Sequence, residues 1–142
     1  MVPIWLEKFV SLTEGGASLS GPVSSCEIDT HVQSWMLFFT AEIHSIVGLR
    51  MHATCAPDLA WSDAIKLAEI GLSTAVLQEG LAFASLHPHF SLFTEHHRSA
   101  VKFGITELRA KLFDCSNPLV GLGGIKAGEG DLTDLVFLKY GG

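Results

Sequence analysis

The stretch from Ser62 to Leu86 most constrains the fold, because a helix built from it leaves very little surface for water. At 3.6 residues per turn, apolar side chains cover one broad face and much of the opposite one. Only Lys66, Glu69 and Ser73 form a narrow polar strip. A helix that is apolar nearly all round is typical of a central element covered by its neighbours. Glu79 is the exception, since this carboxylate lies in the middle of the main apolar face.

The N-terminal residues predict a short helix followed by a loop. Pro3 suits the first turn, because its missing N–H needs no partner there, and the helix extends to about Thr13. The pair Gly15-Gly16 provides a stop. Residues 15–28 are rich in Gly and Ser and contain one Pro, which is the composition of a loop.

A second helix is predicted to begin at Asp29 or Thr30, either of which can cap it, and to end at about His52. Its core-facing stripe follows the i, i+3, i+4, i+7 pattern and contains Val32, Trp35, Met36, Phe39, Ile43, Ile46 and Val47. Leu37 and Phe38 point away from that stripe. Two large apolar side chains outside the core suggest a second contact surface.

A fourth helix is predicted after the central one. The sequence His87-Pro88-His89 ends the central helix, because proline cannot continue it and restricts the residue before it. The next helix begins after a cap at Thr94 and ends at about Phe113. Because the connection is short, the third and fourth helices are expected to pack as an antiparallel pair. The predicted fold is therefore mainly α, a four-helix bundle-like domain.

The composition changes after Asn117-Pro118. Seven of the fourteen glycines occur in the last twenty-four residues, which argues against a continuous helix. Residues 132–140 suit a β-strand and could pair with residues 119–125. We therefore predict a helical domain over residues 1–117 and a Gly-rich extended arm or β-hairpin over residues 118–142.

The composition favours self-association. Hydrophobic residues make up 48% of the 142 residues and charged residues only 17%, so a monomer would have little polar surface. A membrane span is not expected, because the most apolar run, residues 32–48, carries Gln33, Glu42 and His44. The net charge of −6 and the scattered basic residues argue against a nucleic-acid partner.

The cysteines favour a reducing compartment. Cys26, Cys55 and Cys115 are odd in number, widely spaced and form no CxxC pair. The first ten residues lack the basic region and the cleavage site of a signal peptide. We therefore expect a cytoplasmic protein or a component of a macromolecular assembly.

Glu79 and His97 form the sharpest candidate for chemistry. Both lie on the apolar faces of helices that are predicted to be antiparallel neighbours, with His87 and His89 at the rim between them. One interpretation is a general base or ligand-anchoring pair. A second is a structural Glu–His hydrogen bond that fixes the helix register. A third is that Gly80 kinks the helix and turns Glu79 towards solvent.

The histidines do not predict a metal site. Neither the Glu-x-x-His spacing of carboxylate-bridged sites nor a pair of His at i and i+4 is present. His52 and Cys55 are three residues apart, but a third ligand would have to come from elsewhere. The expectation is therefore that the protein holds no metal and no cofactor.

The leading hypothesis is a structural or interaction protein that self-associates, for example as a homo-oligomer or as a subunit of a larger shell or filament. The contact residues it predicts are Leu37, Phe38, Leu135 and Phe137. The rival hypothesis is a small helical enzyme or ligand-binding domain with a pocket between the third and fourth helices around Glu79 and His97.

Overall fold

The computed structural model describes residues 3–25, 28–34, 36–87 and 90–102. These residues form a five-stranded mixed sheet together with helices, so the prediction of a mainly α, four-helix bundle-like domain is wrong. The strands are β1 (Leu19–Ser25), β2 (His31–Val32), β3 (Phe38–Phe39), β4 (Phe83–His87) and β5 (Phe90–Phe93). The helices are α1 (Ile4–Glu14), α2 (His44–Ala53), α3 (Trp61–Ala64), α4 (Gly71–Gln78) and α5 (Glu95–Lys102).

Two further helical segments connect these elements. A 3-10 helix, Ala41–Ile43, leads into α2, and a π-helix, Ile65–Ile70, joins α3 to α4 in one helical run over residues 61–78. The predicted segment 118–142, with its contact residues Leu135 and Phe137, lies outside the described residues, as does the predicted helix beyond residue 102. Whether residues 1–117 and 118–142 form separate units therefore stays a prediction.

Strand β1 is the centre of the sheet, whose order is β2-β1-β4-β5. Strands β1 and β4 are parallel, and β4 and β5 are antiparallel. On the edge of β1 away from β4, two short strands pair with it in the antiparallel sense. Strand β3 pairs with Leu19 and Ser20 at one end, and β2 pairs with Ser24 and Ser25 at the other.

The sheet has a hydrophobic core on each face. One core joins the sheet to α2 and α4 and contains buried residues such as Val47, Leu72, Val76 and Phe83. The other joins the sheet to α1 through Phe9, Leu12 and Ala84. The neighbours Phe83 and Ala84 belong to different cores because successive strand residues point to opposite faces. The described part is thus a three-layer α/β arrangement.

The predicted loop at residues 15–28 contains the central strand. All seven residues of β1 are buried, although none of them is large except Leu19 and Val23. Small side chains allow segments to approach closely, and Ser24 Oγ lies 2.9 Å from Ser85 Oγ of β4. The Gly, Ser and Pro content predicts a loop, and that prediction is wrong here because burial on both faces outweighs the weak strand propensity of these residues.

Gly21 shows how close this approach is. A Cβ at this position would overlap Val32 Cγ1 and lie 2.9 Å from the Met36 carbonyl oxygen. The chain between β2 and β3 therefore passes directly over Gly21, and only glycine leaves room for it.

The predicted second helix is wrong in its first half. Residues 31–39 hold β2 and β3, and helical structure begins only at Ala41. The 3.6-residue spacing of Val32, Met36 and Phe39 is compatible with a helix, but pairing with β1 determines the structure here. The second half is confirmed by α2, which ends at Ala53, one residue beyond the predicted His52.

The central helix ends earlier than Leu86. Gly80, with φ of +75°, allows the N–H of Gly80 to bond the Leu77 carbonyl and the N–H of Leu81 to bond that of Val76. These two bonds form a Schellman motif, which terminates α4. Strand β4 follows at Phe83, so two strands, β4 and β5, separate α4 from α5 in the chain. The predicted antiparallel pair of consecutive helices is therefore wrong.

The predictions at two other helix ends are confirmed. Helix α1 covers Ile4–Glu14, with Pro3 as its N-cap, and ends in a second Schellman motif at Gly16, with φ of +104°. Helix α5 begins at Glu95, directly after the predicted cap Thr94. None of the described helices has the length and apolar character needed to cross a membrane.

Candidate functional site

The outer side of β2 is closed by side chains of the helical run. The Gln33 N–H bonds the Val23 carbonyl of β1, so the N–H groups of Val32 and Ser34 face the other way. Ser73 Oγ accepts from the Val32 N–H at 3.0 Å, and Glu69 Oε1 accepts from the Ser34 N–H at 2.8 Å. These outward donors are therefore satisfied within the chain.

This contact corrects the interpretation of the polar strip on the central helix. Ser73 is fully buried and Glu69 half-buried, so neither side chain forms the expected solvent-facing surface. Lys66 does remain exposed and forms an ion pair with Asp63. The sequence does not tell whether a polar side chain on an apolar helix is exposed, because it can hydrogen-bond either water or a neighbouring backbone group.

The outer side of β3 is different. The Thr40 N–H bonds the Ser18 carbonyl of β1 at 3.0 Å. Because bonding groups alternate along a strand, the N–H and C=O of Phe39 face away from β1. Within the described ranges, no backbone hydrogen bond joins the Phe39 N–H to another segment. The Phe39 side chain is also 41% exposed.

Apolar side chains from α1 lie beside this strand. Phe38 stacks on Phe9 with ring centroids 4.0 Å apart, and the Trp5 ring lies 6.3 Å from that of Phe38. Trp5 is 41% exposed and Ile4 is 78% exposed. We call Trp5 and Phe39, with the outward backbone of β3, the β3 edge.

The predicted contact residues Leu37 and Phe38 are next to this edge, but their exposure differs from the expectation. Leu37 is half-buried against the core that includes α2 and α4, and Phe38 is half-buried against α1. Phe39, which was predicted to face the core, is the exposed member. Because β3 is a strand, neighbouring side chains alternate between the two faces of the sheet, which a helical wheel does not represent.

Glu79 is not part of a buried pair with His97. It is the exposed C-cap residue of α4, and Gly80 directs the chain away immediately after it. This agrees with the interpretation in which Gly80 turns Glu79 towards solvent. In the part of the chain that the structure describes, no hydrogen bond or ion pair joins Glu79 to His97.

His97 instead takes part in capping α5. Its Nδ1 accepts from the Thr94 N–H at 3.1 Å and lies 2.9 Å from Thr94 Oγ1. An N–H can only donate, so Nδ1 is unprotonated and the Thr94 hydroxyl also donates to it. Burial lowers the pKa of His97 below 6.5, and the neighbouring His96 lowers it further.

The remaining predicted site residues do not form a described cluster. His87 is the last residue of β4, where its backbone pairs with Val23, and His89 lies outside the described residues. Cys55 is an exposed free thiol whose Sγ lies 3.7 Å from the Met51 carbonyl oxygen. Among the described residues, no three His, Cys, Asp or Glu side chains are grouped so as to hold a metal ion.

A buried arginine connects α5 to the loop between β1 and β2. Arg98 Nη2 lies 2.8 Å from Glu95 Oε2, and its Nη1 lies 3.8 Å from Asp29 Oδ2. Asp29 follows Ile28, whose φ of +67° is an unfavourable conformation for a β-branched residue. Two carboxylates surround one guanidinium, so this cluster is suited to fixing α5 in place and not to binding an anion.

Sequence reasoning missed Phe39 and Trp5 as surface residues. The aromatic pair Phe38-Phe39 has the β-preference that could have indicated a strand. With that assignment, period-two alternation would have placed the two rings on opposite faces. The fold, and not a catalytic motif, is therefore the basis for the candidate site. Searches against protein-family models, curated proteins and solved structures found no match for the chain.

Proposed function

We propose that the protein is an interaction domain that self-associates through the β3 edge. The observation that carries this proposal is the outward-facing backbone of Phe39 beside its own exposed ring. Unpaired N–H and C=O groups at a sheet edge are a template for another strand. Natural proteins protect such edges with charge, proline or a covering element, and β3 has an aromatic residue there.

The composition of the whole chain supports the same proposal. Hydrophobic residues are abundant and charged residues are few, so burial between copies would remove apolar surface that one copy leaves exposed. Trp5, which is 41% exposed and lies beside Phe38, supplies such surface next to the strand edge. Backbone pairing and apolar burial would therefore act at one place.

The proposal is tested by sedimentation velocity of the full chain over a wide concentration range. The Phe39→Lys variant places a charge on the edge and removes the aromatic contact. Leu49→Lys is the matched control, because Leu49 on α2 is 70% exposed but is not part of the β3 edge. Circular dichroism should show that both variants are folded.

We expect the average mass of the wild type to rise with concentration. Loss of roughly 1.4 kcal/mol or more of apolar burial in Phe39→Lys should raise the dissociation constant at least about tenfold. Leu49→Lys should associate like the wild type. A wild type that stays monomeric throughout would reject self-association, and equal association of Phe39→Lys would reject this edge.

A further inference from the structure

We infer that two copies pair β3 against β3 in the antiparallel sense, about a twofold axis at Phe39. This inference rests on the proposed self-association and specifies its geometry. Phe39 is the residue of this two-residue strand whose N–H and C=O face away from β1, so it is the natural centre of the contact. In a twofold antiparallel pair, Phe39 of each copy would donate to and accept from Phe39 of the other.

A second copy fits this edge better than an unrelated extended peptide. Homodimers most often have twofold symmetry, in which the same patch is used on both sides. An axis perpendicular to the sheet keeps the α1 layers of both copies on the same face. Because the Trp5 ring lies 6.3 Å from that of Phe38, the exposed parts of the two Trp5 side chains would approach each other across the axis. A free peptide strand would lack this second contact.

The size of the patch determines the expected affinity. Trp5 and Phe39 are each 41% exposed, so together they expose roughly 120–200 Å², taking about 150–250 Å² for each aromatic side chain. A typical stable interface buries about 800 Å² per partner. The edge is also short, because the 3-10 helix begins at Ala41. The pairing therefore fits a reversible dimer with a dissociation constant in the micromolar range or weaker.

Disulfide trapping tests the pairing geometry. Phe39→Cys is made in a background where Cys26, Cys55 and Cys115 are replaced by Ser, with Leu49→Cys as the matched control. Directly opposed residues of a bonded antiparallel pair have Cα atoms about 5.5 Å apart, which suits a disulfide. Under mild oxidation, Phe39→Cys should form a covalent dimer at least about tenfold faster than Leu49→Cys.

Because Phe39→Cys removes the ring, a second probe keeps an aromatic group at the position. Replacing Phe39 with p-benzoylphenylalanine should, on illumination, crosslink to residues 38–40 of the second copy. Crosslinks elsewhere, or equal oxidation rates of the two cysteine variants, would overturn the pairing while the wild type still self-associates. A monomeric wild type would instead overturn the proposed function itself.

Discussion

Strands β2 and β3 both lie at an edge of the sheet, but their outward-facing backbone N–H groups are treated differently. Both contain two residues, both are antiparallel to β1, and both lie on the same edge of it. The helical run covers β2, where Ser73 and Glu69 accept from the outward N–H groups. Around β3, the described residues provide exposed apolar side chains and no acceptor for the Phe39 N–H. Among the described residues, the outward N–H groups of the β2 segment are bonded and that of Phe39 is not.

The difference shows that burial of an edge depends on what packs over it. Glu69 and Ser73 are four residues apart and lie on one side of the helical run, so they reach alternate N–H groups of the β2 segment. The π-helix Ile65–Ile70 precedes Ser73 and shifts the phase of the helix there. On the β3 side, α1 packs on Phe38 through Phe9, and the described residues provide no hydrogen-bond acceptor for the Phe39 N–H.

The largest effect is expected at Gly21, which lies between the two short strands. Gly21→Ala places a Cβ against Val32 and the Met36 backbone, so we expect the free energy of unfolding to fall by about 3 kcal/mol. Chemical denaturation measures this change. The control is Gly48→Ala in α2, where nothing lies within 4 Å of the added carbon. That variant should gain about 0.5–1 kcal/mol from helix propensity, and equal losses in both would refute the close approach.

The next largest effect is expected in a comparison of two buried serines, one that contacts β2 and one that pairs with β3. Ser73→Ala leaves the Val32 N–H buried without its acceptor, so the free energy of unfolding should fall by about 2 kcal/mol. Ser20, which pairs with Phe38, has an Oγ without a hydrogen-bond partner among the described residues. Ser20→Ala should therefore be neutral or stabilising by up to about 1 kcal/mol. If Ser20→Ala lowered the free energy of unfolding more than Ser73→Ala, the conclusion that Ser73 closes the β2 edge would be contradicted.

The smallest effect is a pH dependence that lies outside both short strands. The pKa of His97 is lower in the folded chain than in the unfolded chain, so the unfolded state binds the proton first as pH falls. The melting temperature should therefore decrease as pH falls below about 6.5, and this contribution should be constant above about 7. His97→Gln keeps an acceptor at the capping position without a titrating ring. It should flatten this part of the profile without changing self-association.

Parts of the fold were predictable because local chemistry determines them. The stop at Gly15-Gly16 and the start of α5 after Thr94 follow from caps that act within one turn. Strand β1 was not predictable in the same way, because its small residues form a strand only when two layers bury them. The helical spacing of residues 32–39 was misleading because it does not distinguish a helix from two short strands that pair with a distant segment.

The sequence indicates the region of the candidate site but not which of its residues is exposed. An apolar surplus at Leu37 and Phe38 was visible in the sequence, but the exposed residue is Phe39, because strand alternation replaces helical periodicity there. The pair of Glu79 and His97 required two packed consecutive helices, and the Schellman turn at Gly80 leads into a strand instead. Long-range pairing, which carries little local signal, decided both cases.

Amide hydrogen exchange of Val32, Ser34 and Phe39 tests the central claim most directly, measured on dilute and on concentrated protein. The N–H groups of Val32 and Ser34 should be protected at both concentrations, because Ser73 and Glu69 cover them within one chain. The Phe39 N–H should exchange rapidly in dilute solution and become protected only when the protein is concentrated. Equal protection of Phe39 at both concentrations, or rapid exchange of Val32, would contradict the distinction between a closed and an open edge.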